Sequence, residues 1–132
     1  MAMETPTTFS NPPSGIPIAV AVISVYYAGI ATFSVGAIWK TAIGSWQFPV
    51  GWAVIAAVLS AATAVGLAML KTWARKLGRF TSALFALLGL WVATACVATS
   101  QPLLGIAASF FSGLHMAAYY YLRRPMIKAF FV

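Results

Sequence analysis

Lys71-Thr-Trp-Ala-Arg-Lys-Leu-Gly-Arg79 carries four of the eight Lys and Arg residues of the chain. The apolar runs that flank it, 51–70 and 80–98, contain no charged residue. A basic cluster between two uncharged runs is the pattern of a turn held on the cytoplasmic side of a membrane while the helices beside it cross. Read that way, the 71–79 stretch orients the whole chain.

Working outward, the composition agrees. Apolar types make up 62% of the 132 residues and charged types 7%. A soluble domain carries roughly 25% charged residues, so nine charged side chains cannot cover a water-facing surface of this size. The formal net charge is +7, with Glu4 the only acid. Because the basic residues sit at the ends of apolar runs, anionic lipid headgroups rather than nucleic acid are their expected partners. The single Cys96 forms no disulfide within the chain, and the N-terminus lacks the basic start of a cleavable signal.

Four runs emerge at about 16–39, 51–70, 80–98 and 103–122. The first would be about 36 Å long as a helix, enough to cross a hydrocarbon core of roughly 30 Å. Pro17 suits a first helical turn, where its missing N–H costs nothing. Ser100-Gln-Pro102 restarts a helix, and Pro125 ends one. Trp39, Trp46 and Trp52 fall at run edges, as interfacial anchors do. The runs are continuous rather than alternating, which favours helices over a membrane barrel. The expected fold is therefore all-α: an integral membrane four-helix bundle over 16–124, with a flexible tail at 1–15 and an interfacial tail at 125–132. Phe9 of the first tail is expected to dip into the headgroup layer. Seven of the eight basic residues lie on the side of the 71–79 turn and the tails, against Lys40 alone on the other. The positive-inside rule then predicts a multi-pass protein of the inner membrane with both termini cytoplasmic.

Small residues recur at four-residue spacing, which places each set on one helix face. They are Ala56, Ser60, Ala64 and Ala68 in the second run, Gly105, Ser109, Gly113 and Ala117 in the fourth, and Ala28, Thr32 and Gly36 in the first. Helices in lipid associate through such faces, so packing within the bundle is expected of them, with docking of another protein as the alternative. Lys71, Arg75, Lys76, Arg79, Arg123 and Arg124 are the candidate headgroup contacts.

His115 is the only histidine and sits inside a span. At similar depth from the cytoplasmic side lie Tyr26, Tyr27 and Thr63. We expect a polar layer in which a tyrosine hydroxyl or Thr63 bonds the imidazole, because an unpartnered buried polar group is costly. The alternative role is axial ligation of haem or a chlorophyll-type pigment. No Asp or Glu lies in any span, which argues against a proton- or cation-driven transporter. No nucleophile with a base and orienter can be assembled, and no metal cluster, so no catalytic residue is expected.

Two short motifs, Gly66-Leu-Ala-Met-Leu-Lys-Thr-Trp-Ala-Arg75 and Tyr121-Leu-Arg-Arg-Pro-Met-Ile-Lys-Ala-Phe130, resemble those of a group of small bacterial four-span membrane proteins to which no activity is assigned. The pattern there is Gly-Leu…Trp-Ala-Arg at the end of the second span and Tyr-Leu-x-x-Pro-x-Val-Lys-x-x-Phe at the C-terminus, with Ile127 here in the valine position. The resemblance implies four helices with a cytoplasmic turn. It also suggests a tail that folds back to set Tyr121 or Phe130 against Trp73 and Arg75. The functional expectation is a non-enzymatic accessory subunit packed against other integral membrane subunits of a respiratory or photosynthetic type of complex. The alternatives are a pigment- or haem-binding subunit using His115, and a small transporter or channel.

Overall fold

The computed structural model describes residues 15–45, 47 and 49–132. Its elements are α1 (Ile18–Ala42), α2 (Val50–Ala68), α3 (Thr72–Ala98), α4 (Pro102–Arg123) and a single turn, α5 (Pro125–Lys128); no strand occurs among the described residues. All four long helices have the length and apolar composition to cross a membrane. The expectations placed on Phe9, Trp46 and residues 1–14 lie outside the described residues.

The helix ends follow from local chemistry. Pro17 is the residue that flanks α1, one position earlier than its expected place inside the first turn. Three helices close with the same paired hydrogen bonds, one of which reaches five residues back. In α1 they are Gly44 N–H to Thr41 O and Ser45 N–H to Lys40 O; in α2, Leu70 to Leu67 and Lys71 to Gly66; in α3, Ser100 to Val97 and Gln101 to Cys96. This closure needs a left-handed residue after the helix, a role that suits glycine. Gly44 fills it at φ +73°, but Leu70 at φ +52° and Ser100 at φ +57° do so with side chains attached.

The structure departs from the sequence reading at the basic stretch. Residues 72–79 are not a loop but the first two turns of α3, and the connection is only Met69, Leu70 and Lys71. Ala, Leu, Lys and Arg are strong helix formers, and long basic side chains carry their charge clear of an apolar helix body. The helix therefore runs on beneath the apolar core rather than stopping at its edge.

Packing divides the molecule into two hairpins, α1 with α2 and α3 with α4, joined chiefly along α2 and α3. The joint is close. A Cβ on Gly66 would collide with the side chain of Ala74 and come within 2.8 Å of Trp73. The residues of the first motif, Gly66, Leu67, Trp73 and Ala74, thus form the α2–α3 crossing itself. The second motif and the residue after it support it from below: Leu122, Ile127 and Phe131 are buried and share one apolar cluster with Val20, Tyr27, Leu67 and Phe85. Val132 N–H donates to Leu70 O at 3.0 Å, and Thr72 N–H donates to Val132 O at 3.2 Å. The tail does fold back to the turn, but through this backbone pairing and these buried side chains. The guanidinium–ring contacts at this end are Arg79 over Tyr119 and Arg124 over Tyr121, not the expected ones to Trp73 or Arg75. The tail thus contributes Ile127 and Phe131 to the core, while Met126, Lys128 and Val132 stay exposed.

The core occupies the basic half of the bundle. In the opposite half the hairpins part, leaving an apolar cleft of about 790 Å³ bordered by Phe33, Trp52, Leu88 and Trp91.

Candidate functional site: a polar layer around His115

Each long helix brings hydroxyl or imidazole groups to one level, because each has one or two polar residues at a matching distance from the end of the bundle where the basic residues gather. His115 lies eight residues before Arg123, and Tyr26 eight residues after Ile18, so both sit about 12 Å into their helices. The links run between every pair of neighbouring helices. Ser24 Oγ donates to Ala64 O at 2.7 Å, joining α1 to α2. Thr63 and Thr81 hydroxyls lie 3.3 Å apart across α2 and α3. Ser112 Oγ donates to Ala86 O at 2.7 Å, joining α4 to α3. Tyr27 and Ser82 hydroxyls, both buried, meet at 2.6 Å and tie α1 to α3. Tyr26 and His115 tie α1 to α4, with 3.2 Å between the hydroxyl and Nδ1. Inter-helix hydrogen bonds in bilayers average about 0.6 kcal/mol, so the layer fixes register and pairing more than it supplies gross stability.

His115 is fully buried. Its Nδ1 also lies 3.0 Å from Phe111 O, one turn earlier on its own helix. A carbonyl at that distance is met favourably only by an N–H, which puts the proton on Nδ1 and leaves Nε2 as a bare lone pair. Nε2 is buried and has no hydrogen-bond partner. Aromatic rings enclose the imidazole: Phe111 at 4.3 Å between centroids, Phe85 at 5.2 Å, Tyr26 at 5.3 Å and Tyr27 at 5.7 Å. Most meet it edge to face, the arrangement aromatic pairs prefer.

Of the layer residues expected from sequence, Tyr26 bonds the imidazole. Tyr27 turns to Ser82, and Thr63 turns to Thr81. Ser24, Thr81 and Ser82 were not anticipated. The available signal was a hydroxyl at the right depth in α1 and α3, but serine and threonine are common in such helices and mostly bond their own backbone, as Ser34 and Ser109 do here.

The small-residue sets separate by face. Ser60 and Ala64 of α2 are buried against α1, Ala56 is half-buried and Ala68 is exposed. In α4 only Gly105 is buried, while Ser109, Gly113 and Ala117 point outward, as do Ala28, Thr32 and Gly36 of α1. Of the α4 set, only Gly105 packs within this chain as expected, against Ala93 and Cys96 of α3. Elsewhere along α4 that work falls to Gly89 of α3, where an added Cβ would lie 3.1 Å from Ser112 Cβ and 3.2 Å from Ala108 O.

Lys71, Arg75, Lys76, Arg79, Arg123, Arg124 and Lys128 all gather at the end of the bundle where α2 meets α3 and α4 meets α5, and Lys40 closes α1 at the other. Among the described residues no group of three or more His, Cys, Asp or Glu side chains could hold a metal ion. No protein-family model, curated protein or solved structure matches this chain.

Proposed function

We propose that this chain is a non-enzymatic, multi-pass protein of the inner membrane, with both termini and the 69–71 turn on the cytoplasmic side, that packs as an accessory subunit against a larger membrane assembly. The observation that carries this reading is the outward small-residue faces of α1 and α4. Ala28, Thr32 and Gly36 on one helix, and Ser109 and Gly113 on the other, are unused within the chain. These two helices also bury less of themselves than α2 and α3. In lipid, close approach between small-residue faces drives helix association, so a ridge of this kind is suited to a neighbouring transmembrane helix. The gathering of seven basic groups at one end supports the orientation.

The experiment is site-specific photo-crosslinking from Gly113 and Ala28 in intact membranes. The expected result is a defined adduct with another integral membrane subunit, of the respiratory or photosynthetic kind, lost in Gly113→Leu. Crosslinks to lipid alone from both positions would refute the reading.

Axial ligation of a tetrapyrrole by His115 is less well supported. The imidazole is wholly buried among four aromatic rings, so a macrocycle at Nε2 would have to open that enclosure. A Soret or chlorophyll band in the purified protein would reinstate it. A transporter or channel would need a polar path, and the cleft beyond the polar layer is bordered by apolar side chains.

A further inference from the structure

The two hairpins join along α2 and α3, which leaves α1 and α4 standing apart on the other side of the basic half. Between them runs a groove of about 800 Å³. Its walls are apolar, with Ile18, Val22 and Ile23 from α1 and Leu114 and Ala117 from α4. Tyr26 closes its inner end, held by the hydrogen bond to His115, and also borders the apolar cleft beyond. At its outer end stands Arg124, just past the last residue of α4. The guanidinium lies 5.9 Å from the Tyr121 ring, which restrains it over the groove mouth.

Among the described residues Arg124 faces no carboxylate. The only acidic side chain of the chain, Glu4, lies outside the described residues. A planar guanidinium with five donors matches the oxygens of a phosphate in a paired geometry that an ammonium cannot reproduce. An apolar channel that begins at such a group and runs inward from the bilayer surface has the layout of a lipid: a charged head at the mouth, hydrocarbon behind.

We propose that the α1/α4 groove is a seat for one anionic phospholipid, its phosphate on Arg124 and an acyl chain along Val22 and Ala117 up to Tyr26. This rests on the helices spanning a bilayer. Charge favours this occupant over a second copy of the chain. A copy in the same orientation would bring its own seven basic groups to the same leaflet, where like charges repel.

The test is native mass spectrometry of the full chain in mild detergent, titrated separately with phosphatidylglycerol and phosphatidylcholine. One phosphatidylglycerol is expected to stay bound at up to about tenfold higher affinity than phosphatidylcholine, whose phosphate can also reach Arg124 but carries a choline cation that the guanidinium repels. Arg124→Gln should abolish that preference, while Arg123→Gln, a neighbour that does not line the groove, should preserve it. Ala117→Trp fills the groove from an exposed position and should remove the bound lipid with helicity unchanged. Equal loss from the two arginine variants would reduce the effect to general surface charge and overturn the proposal. Lipid retention by Ala117→Trp, or a lipid-free dimer blocked by that variant, would overturn it as well. Release of the chain from membranes by alkaline carbonate would instead refute the spanning reading on which the seat depends.

Discussion

The Tyr27–Ser82 pair makes the sharpest quantitative demand on this structure. Both residues are fully buried and their hydroxyls are 2.6 Å apart. Tyr27→Phe keeps the ring, and with it the contacts to Phe85 and His115, so it removes the hydroxyl alone. The serine left behind is not stranded, because a helical serine can turn its hydroxyl to the carbonyl four residues back. The cost should therefore be near the bilayer average for an inter-helix bond, about 0.6 kcal/mol. Ser82→Ala is the harsher change. The phenol of Tyr27 is fixed by its ring and cannot seek its own backbone, so it becomes a buried donor without a partner, at about 1–3 kcal/mol. The expected order is thus Ser82→Ala worse than Tyr27→Phe, and the double variant close to Tyr27→Phe, since removing both partners strands nothing. Equilibrium unfolding in mixed micelles by denaturing detergent, followed through tryptophan fluorescence, reads all three differences. Equal costs for the two single variants, or additive costs in the double, would refute the reasoning.

Gly66→Val should separate α2 from α3 and cost at least about 1–3 kcal/mol, the usual penalty of overpacking; the same unfolding titration measures it, and an unchanged midpoint would contradict the crossing described. Phe131→Ala should cost about 3 kcal/mol or somewhat less at this edge of the core and should raise proteolysis at the α2–α3 turn, detectable by limited digestion. His115→Phe is expected to shift stability by less than about 1 kcal/mol, because it removes one link to Tyr26 together with an unpartnered buried Nε2. With Cys96 replaced by alanine, a cysteine at position 40 should react with an impermeant maleimide added outside the cell and one at position 76 should not; the reverse pattern would invert the orientation proposed above.

The number and approximate placement of the long helices could be read from the sequence because each is an apolar run long enough for a span, bounded by Gly44, Pro102 or Pro125. The start of α3 could not. Lys71 to Arg79 is charged like a loop but composed like a helix, and charge set the reading where propensity set the structure. Leu70 and Ser100 hold left-handed positions that sequence reserves for glycine, so those two closures were invisible. The polar layer was half legible: depth along each helix follows from counting, which located Tyr26, Tyr27, Thr63 and His115. Partner choice depends on helix rotation, which a sequence without a strong apolar–polar asymmetry does not define. For the same reason most of the α4 small-residue face, expected inside, lies outside. The groove at Arg124 arises where α1 and α4 lie apart between the Tyr26–His115 link and their ends, which no local pattern encodes.

The pairing of Leu70 and Thr72 with Val132 has a consequence for biogenesis. A ribosome adding about 5–20 residues per second makes the elbow between the second and third helices several seconds before the segment that braces it. Until that segment arrives, leucine must hold an unfavourable backbone geometry unaided, and the two halves of the molecule can swing about it. Synthesis of each half is thus separable in time from their final docking.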